Sequence, residues 1–84
     1  MKRAILFFGH LRDAAGTSAL EAELPANVGD VPALIDWLGR ENDELRAALR
    51  RTGVRVAIDK AFAADKAKLE DAREIAFMAP LSGG

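Results

Sequence analysis

Apolar and polar residues along the chain are arranged in patterns that predict several β-strands. The stretch RAILFFG (residues 3–9) is rich in Ile, Leu and Phe and ends at a glycine, which is typical of a strand that is apolar on both faces. REIAFMA (73–79) has the same character. ALEAELP (19–25) alternates apolar and acidic residues, so it predicts a half-exposed strand that its proline ends. VRVAID (54–59) predicts a further strand, and AFAA (61–64) a short edge strand.

The segment DVPALIDWLGRE (30–41) has the apolar spacing of an amphipathic helix. The residues that form its apolar stripe are Val31, Leu34, Ile35 and Leu38. Asp30 is a suitable N-cap, and Pro32 is tolerated because the amides of the first turn lack partners within the helix. We therefore predict one main helix that must bury this stripe against a sheet.

Two shorter segments predict further helical structure. DELRAALRRTG (43–53) predicts a second helical segment with Gly53 as its stop, and HLRDAAGTS (10–18) is a connection with room for one helical turn closed by Gly16. The order of elements is β-β-α-β-(β)-β in a chain of 84 residues, which has room for one sheet and one main helix. Packing the helix on one sheet face gives a two-layer α+β domain.

One helix can cover only one face of this sheet. Neighbouring residues of a strand point to opposite faces, so Phe8 and Met78 should lie opposite the side chains that meet the helix. Together with Phe62 they would form an apolar patch of the kind that marks partner surfaces. Two alternatives stay open: the loop AADKAKLED (63–71) folds over the patch, or Met78 fills gaps in the core.

Composition and charge exclude several classes of function. The sequence has no cysteine, which excludes disulfides, thiolate metal sites and a cysteine nucleophile. Twelve basic and thirteen acidic residues give a net charge of −1, which argues against nucleic acid or a membrane surface as the partner. The apolar run at residues 4–8 is too short for a signal segment or a membrane span. We expect a cytoplasmic protein.

Conventional catalytic and metal-binding motifs are nearly absent from the sequence. His10 is the only histidine, neither Ser18 nor Ser82 lies in a hydrolase motif, and the glycines form no phosphate loop. We expect no metal or cofactor on this chain. One basic cluster follows the second helical segment and consists of Arg46, Arg50, Arg51 and Arg55. A solvated helix face is the favoured interpretation of this cluster, with an anion-binding patch as the alternative.

The last residues, FMAPLSGG (77–84), have no charged side chain, although 30% of the chain is charged. Gly83 and Gly84 lack Cβ atoms and can thread a slot that is too narrow for side chains. The carboxylate of Gly84 is also a group that ATP can activate as an acyl-adenylate, which then accepts a sulfur or amine nucleophile. We predict that Gly84 is the reactive group and that Gly83 allows the tail to thread into a partner.

Three stretches carry a resemblance to a known family. ILFFGHLRDAAGT (5–17), VRVAID (54–59) and EIAFMAPLSGG (74–84) resemble the opening strand and loop, an internal strand, and the closing strand and tail of the small subunit of molybdopterin synthase. This subunit is a ubiquitin-like sulfur carrier. The resemblance implies a β-grasp fold with a mixed sheet of four to five strands packed on one main helix. It also implies a single domain, residues 1–84, with a flexible Gly-Gly tail at 81–84.

The resemblance also implies a function. A ubiquitin-activating-like adenylyltransferase would use ATP to adenylate Gly84, which would become a thiocarboxylate and donate sulfur to the cyclic pyranopterin precursor within molybdopterin synthase. The chain would be the non-catalytic small subunit of a heterotetramer with the large subunit. The residues that would contact partners are Phe8, Phe62, Met78, Pro80, Leu81 and Ser82.

Alternatives and departures from the family accompany this hypothesis. The same tail would suit a ubiquitin-like modifier conjugated to lysines through Gly84, or the sulfur carrier of the thiamin pathway. A plain interaction module with an incidental tail is a third alternative. Asp59 stands where asparagine is usual, and Ala72 and Arg73 replace a Gly-Asp turn.

Overall fold

The computed structural model describes residues 1–80, so the predicted tail at 81–84 lies outside the described residues. Five strands and three helices are present in this part of the chain. The strands are β1 (Lys2–Phe7), β2 (Ala19–Glu23), β3 (Arg55–Ile58), β4 (Ala61–Ala63) and β5 (Glu74–Met78). The helices are α1 (Leu11–Ala15), α2 (Val31–Leu38) and α3 (Asp43–Leu49). No helix within residues 1–80 is long and apolar enough to cross a membrane.

The strands form one mixed sheet in the order β2-β1-β5-β3-β4. β1 and β5 are parallel neighbours at the centre of the sheet, with Phe7 opposite Phe77, and the other pairs are antiparallel. The two apolar strands predicted near the ends of the chain are therefore neighbours inside the sheet, and neither lies at an edge. The short strand β4 lies at an edge, as its sequence predicted.

The helical layer consists of two helices of similar length, where the sequence predicted one main helix. α2 has eight residues, and its N-cap is Asp30, whose Oδ1 accepts a hydrogen bond from the N–H of Ala33 (2.9 Å). α3 has seven residues, and its N-cap Asn42 donates to the carbonyl of Ala14 in α1 (2.9 Å). The predicted stop of α3 was wrong. The helix ends at Leu49, and Gly53, with a φ of +94°, lies in the turn that follows.

The core lies between these helices and one face of the sheet. The Phe7 and Phe77 rings are stacked, with centroids 6.2 Å apart and an interplanar angle of 14°. The sheet residues of the core are Ile5, Phe7, Val56, Ile75 and Phe77. The helical residues that pack on them include Val31, Leu34, Leu38, Leu45 and Leu49. This is the face that the predicted helix stripe required.

The loop between β4 and β5 packs on the helix side of the sheet. The N–H of Val31 donates to the carbonyl of Ala67 (3.0 Å), and the N–H of Leu69 donates to the carbonyl of Gly29 (2.9 Å). Leu69 is 2% exposed and belongs to the core, as does Ala72. The alternative in which this loop folds over the opposite face is therefore wrong.

Asp59 connects the β3-β4 turn to the start of β5. It has a φ of 49°, a left-handed conformation that asparagine and aspartate tolerate better than most residues do. Its Oδ1 accepts hydrogen bonds from the N–H groups of Arg73 (2.9 Å) and Glu74 (3.0 Å). The positive φ before β5 falls on Glu70, at 47°, so Ala72 and Arg73 need no glycine. The departures at 59 and 72–73 are therefore compatible with this fold.

Candidate functional site

The second face of the sheet, here called the open face, carries apolar side chains that no helix of residues 1–80 covers. Strand register identifies its central residues. Met78 lies opposite Arg55 on the neighbouring strand, and Ala57 lies between its two cross-strand partners, Ala76 and Phe62. Phe8 follows directly after β1 and its N–H donates to the carbonyl of Phe77 (3.0 Å). Phe8 is 48% exposed and Phe62 is 64% exposed, although both are large apolar residues.

These side chains surround a shallow depression of about 850 Å³. Its lining residues are Phe8, Gly9, His10, Gly53, Arg55, Phe62, Met78, Ala79 and Pro80. Four of the six predicted partner-binding residues, Phe8, Phe62, Met78 and Pro80, thus lie around one surface. Their role in binding stays a prediction. The other two, Leu81 and Ser82, lie outside the described residues, as do Gly83 and Gly84.

Two glycines border the residues that follow β5. A Cβ atom at Gly53 would lie 3.0 Å from Cβ of Pro80, and one at Gly9 would lie 3.3 Å from Cβ of Ala79. Both glycines have a positive φ, 62° at Gly9 and 94° at Gly53, which residues with a side chain rarely adopt. They therefore fix where the chain runs as it leaves the sheet, inside the depression.

Replacing Gly53 by alanine is expected to move Pro80 and to lower the free energy of unfolding by about 1–3 kcal/mol, because the positive φ becomes strained. Chemical denaturation measures the stability, and the NMR amide shift of Ala79 reports the displacement. Gly29→Ala is the control, because a Cβ there has no heavy atom within 4 Å and Gly29 has no positive φ. Equal effects of the two substitutions would contradict this account of Gly53.

The predicted arginine cluster is divided between two faces of the molecule. Arg46 and Arg50 pair with Asp43 and Asp36, as a solvated helix face requires. Arg55 instead lies on the open face, where its guanidinium carbon is 4.5 Å from the centroid of the Phe62 ring. The sequence interpretation missed this placement. Strand alternation in VRVAID contained the signal, since Arg55 and Ala57 must share a face.

The described residues contain no cluster that is arranged to hold a metal ion. No group of three or more His, Cys, Asp or Glu side chains with that geometry occurs within residues 1–80. His10 is exposed and lines the depression. What this part of the chain offers is a shaped apolar surface with one guanidinium group on it.

Comparison with known proteins identifies the family. Residues 5–84 match the ThiS family. This chain belongs to the ThiS family. It is also 30% identical over 80 residues to the molybdopterin synthase sulfur carrier subunit of Escherichia coli K12, a match that covers 95% of this chain and 96% of that protein. The resemblance found in the sequence is therefore confirmed.

Solved structures similar to this ThiS-family chain confirm its fold. SAMP1 from Haloferax volcanii has a TM-score of 0.79 at 19% identity, and the match covers 100% of both chains. A Pyrococcus furiosus protein assigned as molybdopterin converting factor subunit 1 has a TM-score of 0.76 at 21% identity, covering 96% of this chain and 99% of the other. The α+β class and the ubiquitin-like β-grasp fold that the sequence predicted are both correct.

Proposed function

We propose that this ThiS-family chain is a sulfur carrier in molybdopterin synthesis. Its working group is the Gly84 carboxylate, which attacks the α-phosphate of ATP on an adenylyltransferase and releases pyrophosphate. A sulfur nucleophile then displaces AMP and gives a thiocarboxylate. Its sulfur bonds to the cyclic pyranopterin precursor on the large subunit of molybdopterin synthase, and water cleaves the acyl–sulfur bond, which leaves the sulfur on the precursor and returns the Gly84 carboxylate. Support for this proposal comes from the Escherichia coli relative, which is named as a molybdopterin synthase sulfur carrier subunit and matches 95% of this chain.

One geometric observation carries the proposal: Pro80 lines the same depression as Phe8 and Met78. A partner that covers the depression therefore meets the chain where it continues toward Gly84. The four residues after Pro80 can span at most roughly 14 Å when extended. A partner that docks on the open face would therefore receive the Gly84 carboxylate in an active site within this reach.

In this proposal the chain is a co-substrate, and its partners supply the catalytic residues. The adenylyltransferase binds ATP, and the synthase large subunit binds the precursor. The chain contributes an apolar docking surface and an acyl group without a side chain beside it, which gives a nucleophile free access. Because the activation consumes ATP, we also place the protein in the cytoplasm.

Mass spectrometry of the intact chain tests the proposed function. The chain is incubated with the adenylyltransferase of the same organism, ATP and a sulfide source, and the terminal peptide is then sequenced. The expected result is an exchange of one oxygen for sulfur on Gly84. Omitting ATP is the control and should leave the mass unchanged. If Gly84 keeps both oxygens under complete conditions, the sulfur-carrier assignment is wrong.

Protein modification is the second candidate function. Support for it comes from the structural neighbours named as small archaeal modifier protein 1, from Haloferax volcanii and Methanosarcina acetivorans, both similar to this chain in fold. A modifier would join Gly84 to lysine amines, so cell extracts would contain heavier conjugates that depend on the last two glycines. A different measurement distinguishes the molybdopterin carrier from the carrier of the thiamin pathway. It identifies which synthase large subunit copurifies with the chain.

A further inference from the structure

Among the described residues that line the depression, Arg55 is the one permanently charged side chain. It lies beside Met78 in the sheet, and its guanidinium group is stacked over Phe62 at 4.5 Å. Within residues 1–80 it has neither an ion pair nor a hydrogen-bond acceptor, whereas Arg46 and Arg50 both pair with carboxylates. The part of the lining that comes from residues 1–80 contains no carboxylate.

Stacking leaves the donors of Arg55 available. A guanidinium group that packs its flat side on a ring keeps its N–H groups at the edge, in a fork that matches a carboxylate. In free solution water satisfies these donors. A partner that covers the depression removes the water, and a buried guanidinium without an acceptor is costly. The surface that covers Arg55 must therefore supply an acceptor.

We propose that Arg55 determines partner specificity by binding a carboxylate side chain that projects from an otherwise apolar partner surface. The inference rests on the proposed function, because the partners are the enzymes that act on Gly84. The carboxylate accepts two parallel hydrogen bonds from the guanidinium edge while apolar groups around it contact Phe8, Phe62 and Met78. The occupant is a folded protein with one Asp or Glu at this point.

Charge complementarity argues against a second copy of this chain as the occupant. A copy docked through the same depression brings another Arg55, and its described lining residues bring no carboxylate. Two guanidinium groups would then share a desolvated surface to which the lining within residues 1–80 contributes no anion, which is unfavourable. A partner with a single carboxylate neutralises the guanidinium group of Arg55. Apolar surfaces that lack a carboxylate are disfavoured, because they would bury Arg55 without a counter-charge.

The test compares Arg55→Met with Arg40→Met. Met keeps the length and apolar character of the arginine stem and removes the charge. Arg40 is the matched control, because its guanidinium is also stacked on an aromatic ring, Trp37 at 4.1 Å, but lies in the helical layer. Calorimetry without ATP measures the Kd for the adenylyltransferase and for the synthase large subunit of the same organism.

Arg55→Met is expected to raise the Kd for both enzymes by about thirty-fold or more, since it leaves the partner carboxylate buried without a counter-charge. Arg40→Met should leave both Kd values unchanged. Arg55→Lys should recover only part of the affinity, because an ammonium group cannot make the two-pronged contact.

Opposite results overturn the inference. If the partner surface is purely apolar, Arg55→Met binds as tightly as the native chain or more tightly. A concentration-dependent dimer that Phe62→Ala dissociates would identify a second copy as the occupant and also overturn it. Native chain that binds neither enzyme would reject the proposed function and this inference together, whereas native binding with an unaffected Arg55→Met variant rejects the inference alone.

Discussion

A chain shortened by its last residue, Gly84, is expected to bind its partners and to transfer almost no sulfur. The terminal carboxyl of such a chain is displaced by one residue, about 3.5 Å, from the position where the adenylyltransferase activates it. A displacement of about 1 Å can already cost a hundred-fold in rate, so thiocarboxylate formation should fall by more than that factor. Single-turnover assays of AMP release and mass spectrometry of the product measure the loss.

The fold should survive this truncation, because the core residues run from Ile5 to Phe77. Circular dichroism and the denaturation midpoint should match those of the native chain. Lys66→Ala, an exposed substitution in the loop between β4 and β5 that keeps the tail intact, is the control and should retain transfer. Unchanged thiocarboxylate formation after removal of Gly84 would contradict the proposed function outright.

Phe77→Ala is expected to unfold most of the protein. Phe77 is 1% exposed and its ring is stacked on Phe7 at the centre of the sheet. Truncating a buried phenylalanine costs about 3–5 kcal/mol, while a domain of this size has a total stability of roughly 5 kcal/mol. Urea denaturation followed by circular dichroism measures the change.

Phe62→Ala is the matched control, since this residue is 64% exposed on the open face. Its loss should cost no more than about 1 kcal/mol, mostly through the stacking with Arg55. Phe77→Leu is a milder substitution that is expected to stay folded. It allows the loss in free energy of unfolding to be measured if the alanine variant is too unfolded for the measurement. If both alanine variants lower the stability equally, Phe62 packs into the core and is not an exposed residue of the open face.

The fold was largely predictable, because its determinants are local or periodic. Apolar runs identified β1 and β5, and alternation identified β2. Asp30 and the stripe from Val31 to Leu38 identified α2. The loop between β4 and β5 could not be placed from its sequence. Leu69 is flanked by charged residues in the sequence. Its place in the core becomes visible only from its burial and from the hydrogen bond that its N–H donates to the carbonyl of Gly29.

The candidate site was predictable where strand alternation decides the face and not where tertiary contacts do. Phe8 and Met78 could be assigned to one face because β1 and β5 are regular strands. Arg55 was grouped with Arg50 because the two are near in sequence, although a turn and the start of β3 separate them. The contact of Gly53 with Pro80 joins distant parts of the chain, and no local pattern reports it.

The parallel pairing of β1 with β5 has a consequence during synthesis on the ribosome. Phe8 and Met78 are neighbours in space but are separated by most of the polypeptide, so the surface they share cannot exist until β5 has emerged. Such long-range pairing is completed late in folding. A nascent chain that has not yet extended through β5 therefore lacks the surface on which the partners of the proposed function would dock.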